Sequence, residues 1–379
     1  MSAARAQDGA STAKIAYIAR EDDSFYAPGR TYAGILRRDR KSAIAGAEVA
    51  IQDSKAIGRA IGVDFVLLTL RLAADDDAAA RIRSELNASG AMAAILDLPL
   101  DDVKRASGSL GDEALALFNI RHREIALRQE TCRTGLFHVI PSRAMLADAL
   151  SQYLLFKAWR RVLILEGAQP MDFEVSQAFQ ASAKKFQLRV VGVKKFVLGH
   201  DPRQRDQINV ALMTSDTDHD VVFVADVMGE FARYVPYRTA KSRLIVGAEG
   251  LMSGAWDGAW ERHGAPQLNR RFERFAARPM TEEDWAAWVA VRAVVQGVVL
   301  SRATSRAQLL RALKRPDLTI ELYKGAPGSF RSWDRQLRQP ILLHTRNAVV
   351  DLAPVEGFLH QRHNLDSLGV DESEFSCTR

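Results

Sequence analysis

Apolar residues recur along this chain with two alternating periods. Short β-favouring runs, roughly four to eight residues long, give way to stretches with apolar positions every third or fourth residue. The first run, Lys14-Ile-Ala-Tyr-Ile18, ends in a polar loop over 20–29. A helix is expected over 42–58, where alanines recur with Ile44, Val49 and Ile51, and a strand over 63–70. The helix expected over 75–89 opens with acidic residues, as the helix dipole favours, and a buried strand follows over 93–96. Residues 101–110 read as another helix and 114–119 as a strand. Gly135 and Pro141 then bracket a short β-favouring core over 136–140, which reads as a hinge strand leading into a second lobe.

The rhythm restarts after it. Helices are expected over 145–159, 172–186 and 204–214, with strands over 161–165, 189–193, 220–225 and 244–247. Residues 256–276 read as helical, as do 282–301 and 305–314. A Gly-rich hairpin over 323–330, two closing strands over 339–344 and 348–352, and a polar tail complete the chain. Strand and helix alternate throughout, which predicts an α/β fold with parallel sheets covered by helices on both faces. With 379 residues, two domains are expected. Lobe 1 is assigned 13–138 plus 280–340, and lobe 2 139–279 plus 341–370. Residues 1–12 are left as a disordered remnant and 356–379 as a C-terminal tail.

Composition narrows the class. Hydrophobic residues make up 47% and charged residues 26%, as in a globular protein. The net charge of +6 is mild for this length and its basic residues are scattered, which argues against nucleic-acid binding. No apolar run reaches the roughly 18 residues needed to span a bilayer. Ala4-Arg5-Ala6 has the small-x-small pattern of a signal-peptidase site, and equally fits an Ala-rich tail. The two cysteines, Cys132 and Cys377, lie in no metal-ligand spacing. In an oxidising compartment they can form one long-range disulfide; in the cytosol they are two separate thiols.

Motifs for the common α/β chemistries are missing. The first strand runs into Arg20-Glu-Asp-Asp23 and not into a glycine-rich phosphate cradle. Neither GxxxxGK[ST] nor GxSxG occurs, and no nucleophile–base set is legible. Asp216-Thr-Asp-His-Asp220 lacks the glycine and glutamate of a calcium loop, and His360 and His363 lack the glutamate of a zinc helix.

Carboxylates gather instead just past strand ends: Glu21, Asp22 and Asp23 after the first strand, then Asp97, Asp226 and Glu249. Ligands of open α/β sheets bind outside these ends. An acidic rim there suits a cation, an amine or a hard metal ion. The competing role is capping of the next helix. Phe25, Tyr26 and Trp256 are candidate aromatic walls, or core residues.

Several segments in this order resemble the type I periplasmic solute-binding proteins of ABC transporters, the leucine/isoleucine/valine-binding group. They are Lys14-Ile-Ala-Tyr-Ile18, Phe137-His-Val-Ile-Pro-Ser142, Phe223-Val-Ala-Asp226, Trp285-Ala-Ala-Trp-Val-Ala-Val-Arg292 and Gly325-Ala-Pro-Gly-Ser-Phe-Arg-Ser-Trp-Asp334. Ala16-Tyr-Ile-Ala-Arg-Glu-Asp-Asp23, Tyr234-Val-Pro-Tyr-Arg-Thr239, Trp333-Asp-Arg-Gln-Leu-Arg-Gln-Pro340 and Glu356-Gly-Phe-Leu-His-Gln-Arg-His363 are similar to a subgroup. Its genes accompany pyrroloquinoline-quinone (PQQ)-dependent alcohol dehydrogenases and lanthanide utilisation.

The resemblance implies a non-enzymatic periplasmic binder of two Rossmann-like lobes that delivers its ligand to a membrane permease. Its implied ligand is a lanthanide or calcium ion, free or chelated, or a small organic molecule tied to alcohol oxidation. Asp22, Asp23, Asp97, Asp226 and Glu249 of the acidic rim would be the metal donors if lobe closure brings them together, and Asp172 and Asp226 fall near positions the family uses for ligands. An accessory protein that docks a PQQ-dependent dehydrogenase is the alternative. One departure stands out. Where amino-acid binders carry a Ser/Thr-rich loop, this chain has Asp97-Leu-Pro-Leu-Asp-Asp102. An α-carboxylate would meet like charge there, and Pro99 removes an N–H. In an exported protein, a Cys132–Cys377 bond would turn the tail into a brace for the hinge, contributing about 4–5 kcal/mol in the loop-entropy model.

Overall fold

The alternation resolves into two parallel sheets joined by short crossovers. The computed structural model describes residues 11–377 apart from 31–33, 35, 111–113, 131 and 200. The chain begins with β1 (Ser11–Arg20), a ribbon of β2 (Gly29–Arg30) and β3 (Leu36–Arg38), α1 (Ile44–Ile61) and β4 (Val63–Leu72). Then come α2 (Ala78–Ser89), β5 (Ala93–Asp97), α3 (Leu100–Leu110), β6 (Ala116–Asn119) and β7 (Leu136–His138). The first sheet has the order β4-β1-β5-β6-β7, parallel throughout. Lobe 2 contributes α4 (Arg143–Phe156), β8 (Arg161–Glu166), α5 (Pro170–Lys185) and β9 (Arg189–Lys195). It continues with α6 (Arg205–Ile208), α7 (Val210–Ser215), β10 (Val221–Ala225) and β11 (Leu244–Gly247). Its sheet is also parallel, ordered β11-β10-β8-β9.

Residues alternate between cores as the pleat requires. Ile15, Tyr17 and Ala19 of β1 enter the core beneath α1, while Ala16 and Ile18 enter the one beneath α2 and α3. Both faces are covered, so the strand reads as a nearly continuous apolar run.

The remaining elements are β12 (Met252–Gly254), α8 (Ala265–Ala276), α9 (Glu282–Ser301), α10 (Arg306–Leu313), β13 (Ser329–Phe330), β14 (Leu337–Arg338), β15 (Ile341–His344) and β16 (Val349–Ala353). By length and composition α9 could cross a membrane, yet 72% of its most apolar window is buried. It is the central helix of lobe 1, packed on α1 with Trp285 and Trp288 in the core. Truncating either tryptophan to alanine would cost about 3–5 kcal/mol. Gly46 makes the crossing possible, because a Cβ there would collide with the Asp284 carbonyl.

The lobe boundaries differ from those expected. Trp256, Trp260, Leu268 and Phe272 lie in the lobe 1 core, so the segment from Ala255 onward leaves lobe 2 well before residue 279. The helix expected over 256–276 begins only at Ala265, after an αL turn at Gly264 (φ 82°). Ser11 and Thr12, expected in a disordered remnant, pair with β4 instead. The signal-peptidase-like Ala4-Arg5-Ala6 lies outside the described residues.

A third, antiparallel sheet, β12-β15-β16, straddles the two lobes. In β15, Ile341 and Leu343 point into the lobe 2 core and Leu342 into the lobe 1 core. The crossovers beside it have few ladder partners, and side chains supply them. Gln336 Nε2 donates to the His138 and Ile140 carbonyls at 3.0 and 3.1 Å, and Gln339 Nε2 to the Val139 carbonyl at 2.7 Å. Buried Arg128 donates to Gln336 Oε1 at 2.7 Å and to the Ile140 carbonyl at 2.9 Å. Lys324, also buried, holds Gln339 Oε1 and the Pro340 carbonyl at 2.9 and 3.1 Å.

The tail is part of the fold. Leu365 and Leu368 are buried, and Asp366 accepts from Arg331 and Arg338. Asp148 of α4 accepts from the Gly369 N–H at 2.8 Å, and Lys185 of α5 donates to the Gly369 carbonyl at 2.9 Å. Cys377 then bonds Cys132, with Cα atoms 6.0 Å apart. The tail is bolted to lobe 2 and covalently tied to the loop after β6 in lobe 1.

Candidate functional site

The carboxyl ends of both sheets meet at one junction. Arg143 is the first residue of α4, just past the hinge, with Ser142 capping the helix at the Met145 N–H (3.2 Å). Its guanidinium reaches Glu124, in the loop after β6, at 3.1 Å and Glu174, near the start of α5, at 3.2 Å. One cation therefore bridges the strand-end loops of the two lobes. Arg123 ties the same lobe 1 loop to Glu282 at the start of α9 (3.0 Å) and to the Pro141 carbonyl of the crossover (3.2 Å).

On lobe 1, β5 delivers Asp97 into a closed network. The Tyr17 and Tyr26 hydroxyls both donate to Asp97 Oδ2. Arg121, two residues past β6, reaches Asp23 Oδ2 at 2.6 Å and Asp97 Oδ1 at 3.3 Å. Phe25 lies beneath two guanidiniums, Arg40 at 4.0 Å and Arg121 at 4.4 Å from its ring centre. Burial pushes the Asp97 carboxyl above the usual carboxylate range, against the pull of Arg121 and the two phenols. The same burial pushes both phenols up, so they remain O–H donors.

On lobe 2 the aspartates serve the backbone. Asp172 accepts from the Gln169 N–H at 3.1 Å and the Val227 N–H at 2.7 Å, closing a capping box at α5. Asp226 accepts from Gly229, Phe231 and Ala232 at 3.0, 2.8 and 2.9 Å. Glu249 forms a two-pronged ion pair with Arg346 at 2.8 Å. Glu166, at the carboxyl end of β8, is 4% exposed, and its side chain has no hydrogen-bond or ion partner among the described residues.

The expected metal cluster is not assembled. Glu21 and Asp22 are exposed, Asp23 and Asp97 are occupied by Arg121, Asp226 by backbone and Glu249 by Arg346. Among the described residues no group of three or more His, Cys, Asp or Glu is placed to hold a metal ion. Trp256 is not a cleft wall. It is 2% exposed, stacks on Trp285 at 5.9 Å and donates to Asn269 at 3.0 Å. Phe25 and Tyr26 do sit in the Asp97 network. Sequence reasoning passed over Tyr17, Arg121, Glu124, Arg143 and Glu166. Glu166 obeys the strand-end rule that picked out Asp97, and Arg121 obeys its cationic counterpart.

No family model and no curated protein matches this sequence. Solved structures do match in fold. A periplasmic binding protein from Burkholderia mallei is 12% identical, with a TM-score of 0.67 over 97% of this chain and 99% of that one. A putative branched-chain amino acid ABC transporter protein from Rhodospirillum rubrum is 14% identical, with a TM-score of 0.70 over 89% and 100%. A solute-binding protein of an ABC transporter from R. palustris, in complex with benzoate, is 11% identical, with a TM-score of 0.66 over 97% and 100%. The chain has the two-lobed α/β fold of the type I periplasmic binding proteins.

Proposed function

We propose that the protein is an exported, periplasmic solute-binding component of an ABC transporter. It holds a small organic molecule between its lobes, closes about the hinge and presents the molecule to a membrane permease, with no chemistry of its own. The observation that carries this is Arg143, which ties the strand-end loops of lobe 1 to those of lobe 2 at a hinge of short crossovers. A ligand there would be gripped from both sides. The fold neighbour in complex with benzoate, and another from Streptococcus pneumoniae in complex with isoleucine, support a small organic ligand.

The charges narrow its class. Asp97 begins the segment that stands in place of the Ser/Thr-rich loop of the amino-acid binders this chain resembles, and its own acceptors are already engaged. Glu166, which has no partner among the described residues, makes the lobe 2 side acidic together with Asp172 and Asp226, both Glu166 and Asp226 being close enough to act electrostatically on Asp172. A ligand bringing an amine or other donors fits better than a simple carboxylate. The lanthanide or calcium version has less support, because the expected donors are engaged elsewhere. The link to PQQ-dependent alcohol oxidation stands on the sequence resemblance alone.

The test is a melting-temperature panel on chelator-treated protein, with primary amines, diamines, leucine, isoleucine, benzoate, PQQ, lanthanum and calcium. A binder at 100 times its Kd stabilises by about 2.7 kcal/mol. The expected result is a shift with an amine. A shift with metals alone would remove the organic-ligand reading, and a shift with benzoate alone would remove the amine preference.

A further inference from the structure

Lobe 2 contains a concavity that shares no residue with the hinge junction. It is a half-open groove of about 190 Å³ between the segment after β9, helices α6 and α7, and the turn Ala232–Tyr237 that comes after β10. Leu198, Ile208, Val210 and Phe231 give it an apolar lining. The base is rigid: Phe231 stacks on Phe196 at 4.1 Å with rings 4° from parallel. Asp226 fixes the start of the turn through the Phe231 and Ala232 N–H groups.

Two cations, Arg233 and Arg238, line this groove. The Arg233 and Arg238 guanidiniums lie 4.6 and 4.9 Å from the ring centre of Tyr234. Neither has a carboxylate partner among the described residues. Arg233 donates to the Tyr234 hydroxyl at 2.6 Å, but its Nε is buried with no acceptor. Glu230, the acid among the lining residues, is already engaged. A buried donor without an acceptor is costly and calls for a partner. A guanidinium without a carboxylate partner is suited to a planar oxyanion.

We propose that this groove binds a small anion with an apolar body, one or two rings bearing a carboxylate or sulfonate. The apolar lining takes the rings, and Arg238, with the Arg233 guanidinium beside the same tyrosine ring, takes the oxyanion. The size agrees, since an apolar cavity of about 150 Å³ accepts benzene. The site lies wholly in lobe 2, so occupancy does not require lobe closure and does not depend on the reading of the cleft.

The probe is 2-naphthoate, titrated into the full chain by its fluorescence and by calorimetry, with 2-naphthamide as the uncharged control. Saturable one-to-one binding is expected, with the amide weaker by about tenfold or more. Arg238→Met and Arg233→Met should each weaken 2-naphthoate by a similar factor. Leu198→Trp, at a half-exposed rim position that leaves the core intact, should block the groove. Absence of saturable binding overturns the proposal. So does equal affinity for acid and amide, or unchanged affinity in folded Arg238→Met and Leu198→Trp proteins, which would place the probe elsewhere.

Discussion

Lobe 1 and lobe 2 each place an aspartate at the carboxyl end of a central strand, and the two do different work. Asp97 faces side chains: two phenols and a guanidinium surround it, and that guanidinium also holds Asp23. Asp226 faces backbone: its oxygens accept three N–H groups of the adjoining turn. The first arrangement fills the floor of lobe 1 with a charge network. The second builds the turn that carries Arg233, Tyr234 and Arg238. The difference lies in the loop that leaves each strand. After Asp97, Leu98 and Pro99 lead straight into α3, and Pro99 has no N–H to offer. After Asp226, residues 227–232 turn back and direct N–H groups at the carboxylate. A strand-end carboxylate is thus satisfied by whatever donors its loop presents.

The covalent tie between the lobes should give the largest effect. Replacing Cys132 and Cys377 with serine frees a chain segment 245 residues long, and should lower unfolding free energy by about 5.5 kcal/mol in the entropy model. Urea unfolding of the double variant measures it.

Arg121→Met should cost about 3–5 kcal/mol, because Asp23 and Asp97 would remain buried without their cation. Adding Asp97→Asn to that variant should restore part of the loss, and a double-mutant cycle checks the coupling. The contrast with lobe 2 sharpens here. Asp226→Ala should cost about 1–3 kcal/mol through unmet backbone donors, and Asp226→Asn less, since an amide oxygen can still accept. If Asp97→Asn and Asp226→Asn responded equally to removal of Arg121, the distinction between the two aspartates would fail.

The smallest effect is a pH dependence in the hinge sheet. His344 lies 3.1 Å from Asp257. Burial pulls the imidazole down, but Asp257 outweighs it and leaves the pKa raised. The Asp257 carboxyl is lowered: burial opposes this, and His344 overcomes it. The histidine contribution is fully present below its unfolded pKa and is lost as pH rises through the raised folded value. The aspartate contribution is present above its unfolded pKa and is lost as pH falls through the lowered folded value. The pair should therefore stabilise most between about pH 4 and 6.5, by about 1 kcal/mol or less. His344→Asn should flatten that part of a stability–pH profile.

Much of the fold was legible because strand and helix alternate with clean periods, and a strand buried on both faces, such as β1, has few other readings. The lobe assignment of residues 255–280 was not. Those residues pack with α1, more than two hundred positions away, and no local pattern encodes that partnership. The site was legible only as a location. Strand ends pointed to Asp97 and Asp226, but their donors, Tyr17, Arg121 and the backbone of 229–232, depend on how loops fold back. A search confined to carboxylates also left out Arg143, whose position at the first turn after the hinge was its one visible signal.

Interlobe distance tests the central claim most directly. Spin labels at Lys104→Cys on α3 and Lys184→Cys on α5, both exposed positions, would report it by double electron–electron resonance. Addition of the solute that raises the melting temperature should shift the distance distribution and narrow it, as hinge closure over a ligand requires. Tight binding of that solute with an unchanged distribution would contradict a cleft that closes around it.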